Sequence, residues 1–117
     1  MLRLSHDEKR NIVTLAYEGN VDAREAEELY PKLLALIPKC PGGFKLLVDL
    51  SLLDKIEKEV LPVIKKIMNL FNQHGISEVV RIIPDSSKDI GFNILSIFHY
   101  DKDVKVVTCQ SLEQVQW

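Results

Sequence analysis

Cysteine is scarce in this chain of 117 residues: Cys40 and Cys109 are the whole supply. Two thiols allow one bridge, which excludes a disulfide-dense scaffold and fits thiols held reduced in a cytosol. Long hydrophobic runs are also missing. No apolar stretch approaches the roughly 20 residues needed to span a bilayer, and MLRLSHDEKR at the start has no apolar signal core. A cytoplasmic protein away from membranes is expected. Charge of one sign is lacking too: the formal net charge is −2, and Lys9-Arg10 and Lys65-Lys66 are pairs, not a basic face. Nucleic-acid binding is therefore not expected. Histidine is limited to three residues, with no HExxH and no pair at helical spacing, so neither a metal nor any other cofactor is expected.

What is present is an ordinary globular composition, 46% hydrophobic and 27% charged, in a length suited to one domain, 1–117. A chain of this size buries roughly two thirds of its unfolded surface, enough for one core. There is no internal repeat, linker or low-complexity segment.

Leu2-Arg3-Leu4 reads as a short edge strand, His6 to Arg10 as a polar loop, and Asn11 to Tyr17 (NIVTLAY) as a β-rich strand. The short connection predicts an antiparallel hairpin. Gly19-Asn20 marks a turn. Asp22 with Glu25 forms a capping-box pattern before a helix carrying Ala26, Leu29, Leu33 and Leu36. Pro31 falls inside that helix and should kink or split it. After Pro38, Pro41, Gly42 and Gly43, the run Phe44 to Leu50 reads as a strand covered on both faces. Asp54 to His74 reads as a long helix, with Val60, Ile64, Ile67, Met68 and Phe71 on one side and Gly75 as its terminator. Ile76 to Ile83 is a third apolar strand. Ser86 with Asp89 caps a shorter helix holding Ile90, Ile94, Leu95 and Phe98. Val104 to Val107 is the last strand, and Ser111 with Gln114 opens a last helix. The order β-β-α-β-α-β-α-β-α implies an α/β fold: a mixed, mostly parallel sheet with an antiparallel edge hairpin.

Three stretches carry a family resemblance that covers nearly the whole chain. EGNVDAREAEELYPKLLALI resembles the turn into a first helix, FKLLVDLS the central strand closing on Asp-Leu-Ser, and VKVVTCQSLEQV the terminal strand, polar link and helix start of STAS domains. That family comprises the anti-sigma factor antagonists of bacteria and the cytosolic domains of sulfate transporters. The resemblance implies a STAS-like fold and a non-catalytic module that binds a regulatory protein, such as an anti-sigma-like kinase, in bacterial signalling. Antagonists of the family have an Asp-Ser-Ser-Gly-like turn after the central strand, and one of its serines is phosphorylated. Here Leu53 to Val60 holds no Ser, Thr or Gly. Lys58 or Glu59 stands where the phosphoacceptor would be, and the role does not carry over to Ser51.

The charges of this segment have two readings. Asp54 and Glu57 simply cap a helix, or Asp54, Glu57, Lys58 and Glu59 form a partner-reading surface. An anion at a helix N-terminus is favourable by about 0.3–1 kcal/mol; Glu57 and Glu59 would supply it permanently where a phosphate would supply it reversibly. The loop PDSSKDIGFN, residues 84–93, is the second candidate. It follows a parallel strand, where ligands and partners tend to sit, and offers Asp85, Ser86, Ser87, Gly91 and the aromatic Phe92. The same residues equally make a capped turn. An alternative function, binding a nucleotide or lipid, would use residues 84–91. Phe92 and the edge strand also allow a homodimer.

Catalysis has weaker candidates. His99 near Asp101 and Asp103 suits a helix end. Cys40 is expected to have no second Cys or His nearby, with His6 and His74 in other loops. Cys109 reads as a small hydrophobe at a strand end. An enzyme acting through His99 or Cys109 needs converging polar groups that the sequence does not provide.

Overall fold

Backbone pairing accounts for most of the architecture. The computed structural model describes residues 1–83 and 104–115. Strand β1 (Leu2–Asp7) turns back on β2 (Ile12–Val21), and the hairpin is antiparallel, Leu4 opposite Leu15. Asp7 tightens the turn: its carboxylate accepts from the Lys9 and Arg10 amides at 3.1 and 3.2 Å. Asn11 takes the left-handed conformation, φ 54°, which Asn tolerates better than most side chains. From β2 the chain passes through helix α1 (Ala23–Leu36) to β3 (Lys45–Ile56), then through α2 (Leu61–Gln73) to β4 (Glu78–Ile82). With β5 (Lys105–Cys109) the strands form one five-stranded sheet in the order β1-β2-β3-β4-β5, parallel except for the first pair.

Alternation along the strands builds two apolar clusters. Val13, Leu15 and Tyr17 of β2, Leu46, Val48 and Leu50 of β3 and Val79 of β4 pack with Leu29 and Leu33 of α1 and Ile64, Ile67 and Phe71 of α2. The rings of Phe44 and Phe71 meet edge to face at 6.0 Å, a contact worth about 0.5–1.5 kcal/mol beyond burial. The residues between them point the other way: Ile12, Leu47, Val80, Ile82 and Cys109 form a smaller cluster on the opposite face. Both faces of β3 are thus apolar, as its unbroken run requires. Cys109 is buried at the end of β5, as the sequence implies.

The largest departure from expectation lies after Leu50. The sequence places a helix from Asp54; the chain instead stays extended to Ile56, makes a 3-10 turn at Lys58–Val60, and enters α2 only at Leu61. Register shifts against β2 explain it. Ala16 faces Asp49 but Glu18 faces Leu52, and Gly19 faces Leu53 but Asn20 faces Lys55. At each step β3 takes up one extra residue, and each extra residue reverses which side chains point inward. Apolar residues at 46, 48 and 50 are therefore followed by 53 and 56. A spacing of three imitates a helix. Gly19 sits at the second shift with φ +61°, a conformation that disfavours a side chain.

Smaller differences have equally local causes. His6 and Asp7 belong to β1, not to a loop, and β2 runs through Gly19-Asn20 to Val21. Asp22 caps α1 as expected, accepting from the Glu25 amide at 2.8 Å. Pro31 does not split α1. It lies on the exposed side, as does Glu27 one turn before, so the carbonyl deprived of a donor is open to water. At the C-terminal side Ser111 makes no cap; the Gln114 side chain accepts from the Gln110 amide at 2.8 Å, and a 3-10 turn at Leu112–Gln114 stands where a helix is expected. The expected helix after Ser86, with His99 and Phe98, lies outside the described residues.

Pro31→Ala restores one helical hydrogen bond on a solvated face. It should raise stability in urea unfolding by about 1–3 kcal/mol.

Candidate functional site

The site begins where β3 outruns its neighbour. The last pair between β3 and β4 is Asp49 with Ile82, whereas β3 continues beside β2 until Val21 pairs with Ile56. The Glu57 amide then donates to the Val21 carbonyl at 3.2 Å, carrying the pairing one residue further. A two-stranded ribbon, residues 18–21 with 52–57, thus extends beyond the sheet.

Its base is a small polar knot. The Asp49 carboxylate accepts from the Ser51 amide at 2.9 Å and from the Ser51 hydroxyl at 2.6 Å. Both donors reach the same oxygen from two residues away, the local pattern by which Asp supports a turn, and here it coincides with the first register shift. Ala16, Tyr17, Glu18, Asp49, Ser51 and Leu52 enclose a cavity of about 40 Å³, room for a water-sized occupant but not for a metabolite. Glu18 is held by Arg3 of β1, Nε to Oε1 2.9 Å. A larger pocket, about 460 Å³, lies on the sheet face carrying Val80, Val107 and Cys109. Of the residues proposed from sequence as a partner-binding surface, none among those described lines it; Cys109, the weaker catalytic candidate, does.

The ribbon and the turn after it present the charges. Asp54 and Lys55 are exposed on β3; Glu57, Lys58 and Glu59 are exposed around the 3-10 turn; Leu53 and Val60 anchor the segment in the core. Leu52 is 66% exposed among them, a large apolar side chain within a charged rim. The capping expectation is overturned. Asp54 is a strand residue left without a β2 partner at the second register shift. Glu57 occupies the position before the 3-10 turn but its side chain caps nothing. Helix α2 begins at Leu61, with Val60 at its N-cap position, no side-chain cap and no acid in its first turn; Pro62 there has a φ already suited to a helix and no amide to satisfy. Asp54, Glu57, Lys58 and Glu59 are thus freed from helix-start duties. Asp85, Ser86, Ser87, Gly91 and Phe92 lie outside the described residues.

A grouping that the sequence reading misses lies at the opposite end of the sheet. Cys40, after the 3-10 turn that follows α1, has its Sγ 3.7 Å from His6 Nε2, contrary to the expectation that no histidine is near. Asn11 Oδ1 is 3.4 Å from the same ring nitrogen. The one available signal was alternation: His6 follows Leu2 and Leu4 on the side of β1 that faces the core.

The solved structures that share this architecture include the following two. One is an uncharacterized protein of the DUF3478 family, with a SpoIIAA-like fold, from Shewanella loihica PV-4: TM-score 0.70, 11% identity, 97% of this chain and 87% of that one covered. The other is the anti-sigma factor antagonist SpoIIAA in its unphosphorylated form: TM-score 0.67, 12% identity, 97% and 92% covered. The fold is STAS-like. No family model matches the sequence, and no curated protein does. At such identities the likeness is one of fold. Among the described residues no helix is long and apolar enough to cross a membrane, and no three or more His, Cys, Asp or Glu side chains gather as a metal site.

The knot at the ribbon's base should be measurable. Ser51→Ala removes one hydrogen bond to a carboxylate and should cost about 1–2 kcal/mol in chemical denaturation; Asp49→Ala removes both and should cost more.

Proposed function

We propose that this STAS-like chain is a non-catalytic protein-interaction module that reads a regulatory partner through the end of the β2–β3 ribbon. The observation that carries the reading is the exposed Leu52 with Asp54, Lys55, Glu57, Lys58 and Glu59 around it. An apolar side chain within a polar rim is the composition of an interface centre and its edge. None of these charges is engaged in starting α2, so they are available to a partner. The similarity in fold to an anti-sigma factor antagonist supports a regulatory protein, such as an anti-sigma-like kinase, as the kind of partner.

The same segment argues for a constitutive contact. It has no hydroxyl side chain between Leu52 and Val60, and the nearest one, Ser51, donates to Asp49. Carboxylates at Asp54, Glu57 and Glu59 give a permanent negative contribution where a phosphorylated antagonist would have a reversible one. Binding is then governed by the partner's own state or abundance. Opposite charge on the partner would act mainly on the rate of encounter, and the exposed leucine on residence time.

The test is affinity capture from native cells with quantitative mass spectrometry, comparing the parent chain with two variants. Reversing Glu57 and Glu59 to lysine should lower capture of a stoichiometric partner about tenfold, with a weaker salt dependence. Leu52→Asp should reduce it at least as much, and circular dichroism should show an unchanged fold for both. Undiminished capture by the folded variants would place the interface elsewhere.

A further inference from the structure

The outward side of α1 departs from the pattern of a surface helix. Such a helix buries one apolar stripe and turns polar residues to water. Ala26, Leu29 and Leu33 are the buried side here. From Lys32 to Lys39, however, every intervening residue is apolar: LLALIP. Leu33 and Ile37 are buried and Leu36 is half-buried, but Leu34, Ala35 and Pro38 are exposed. With the exposed Pro31 they recur at i, i+3, i+4 and i+7. They therefore make one stripe along the second half of α1 and the 3-10 turn that follows it, Ile37–Lys39. Leu34 is the largest of them and is 45% exposed. Single exposed apolar side chains are ordinary. A contiguous stripe marks a contact surface.

Charge selects the occupant. The first half of the helix exposes Glu27 and Glu28, the latter paired with Arg24 at 3.3 Å. The far end exposes Lys39, and Lys32 stands between. Among the described residues Glu27, Lys32 and Lys39 take part in no ion pair. A second α1 laid antiparallel along the stripe brings the acidic end of each helix to the basic end of the other. In the register that sets Glu27 opposite Lys39, Pro31 falls opposite Ala35. Leu34 falls opposite Lys32, whose methylene stem can cover it while the ammonium stays in water. A parallel arrangement would set Glu27 beside Glu27 and Lys39 beside Lys39. The stripe is thus self-complementary in one orientation, as a two-fold contact between identical chains requires.

We infer that the outward face of α1 docks a second copy of this chain, in a two-fold antiparallel helix pair with Pro31, Leu34 and Ala35 at its centre and Glu27 and Lys39 at its rims. The 14 residues of α1 make a face about 21 Å long and about 10 Å wide. That is well short of the roughly 800 Å² per partner of a stable interface. The dimer is therefore weak and forms as concentration rises. Its residues are distinct from those of the ribbon, so the inference does not rest on the interaction reading.

Sedimentation equilibrium of the purified chain, from about 10 μM to about 1 mM, tests it. The weight-average mass should rise from that of one chain toward that of two. Leu34→Glu should weaken association at least tenfold. Changing Glu27 and Glu28 to lysine in one variant, and Lys32 and Lys39 to glutamate in another, should leave each monomeric alone. An equimolar mixture of the two should associate again, because each then opposes the other's charge. Every substituted position is exposed, and circular dichroism should show the parent's helix content throughout. Leu52→Asp should dimerise as the parent does. A parent at one chain's mass at every concentration, parent-like association of Leu34→Glu, a mixture no heavier than its components, or a dimer lost in Leu52→Asp would each overturn the assignment.

Discussion

The pairing of β2 with β3 is the interaction on which the rest of the structure depends. It holds the longest parallel ladder among the described residues, from Ile12–Lys45 to Val21–Ile56, and α1 must bridge its two strands. The hairpin strand β1 attaches to one side of it and β4 to the other. An isolated two-stranded piece is marginal in water. The inner half of this pair is therefore secured by β1, β4 and both helices, and the outer half by Leu53, Ile56 and Val60 reaching back into the core. Parallel pairing between distant segments closes long loops before contacts reward it, which makes this ladder the costly step of folding.

That division also orders the chemistry. Where β3 has strands on both sides, Leu46, Leu47 and Val48 are buried and apolar between half-buried Lys45 and Asp49. Beyond Asp49 it pairs only with β2 among the described residues, and the composition changes within a few positions to exposed leucine and charge. The Asp49–Ser51 knot lies at the boundary. A carboxylate receiving two donors from its own chain stabilises the irregular backbone there more cheaply than sheet pairing would allow, because it uses groups only two residues apart.

Most of the fold was legible because local signals agree with the global arrangement. Alternation in NIVTLAY, the Asp22 cap, the Pro-Gly break before Phe44 and the glycine after His74 each mark an element that the structure contains. The reading failed where two rules gave the same pattern. Leu50, Leu53, Ile56 and Val60 suit a helical stripe, yet register shifts make most of them strand residues; nothing in the residues themselves announces an extra residue in a ladder, since it is defined by the partner strand. Of the two readings of Asp54 and Glu57, as caps or as part of a partner-reading surface, the first fails for that reason: both are exposed, and neither caps a helix. The Cys40–His6 proximity was missed because a contact across 34 positions depends on hairpin register and on where the post-helix turn docks, not on any local motif.

The two extra residues of β3 have a consequence for how such a surface changes over time. In an even ladder, a substitution alters one side chain and leaves its neighbours facing as before. Here the direction of every side chain from Ser51 to Ile56 also depends on how many residues the strand contains. Loss or gain of a single codon at either irregularity would exchange inward and outward residues over the whole tip while leaving the sheet beneath it intact. The ribbon's outer face is thus written in chain length as well as in residue identity, and lineages sharing this sheet can present unrelated surfaces without altering the core.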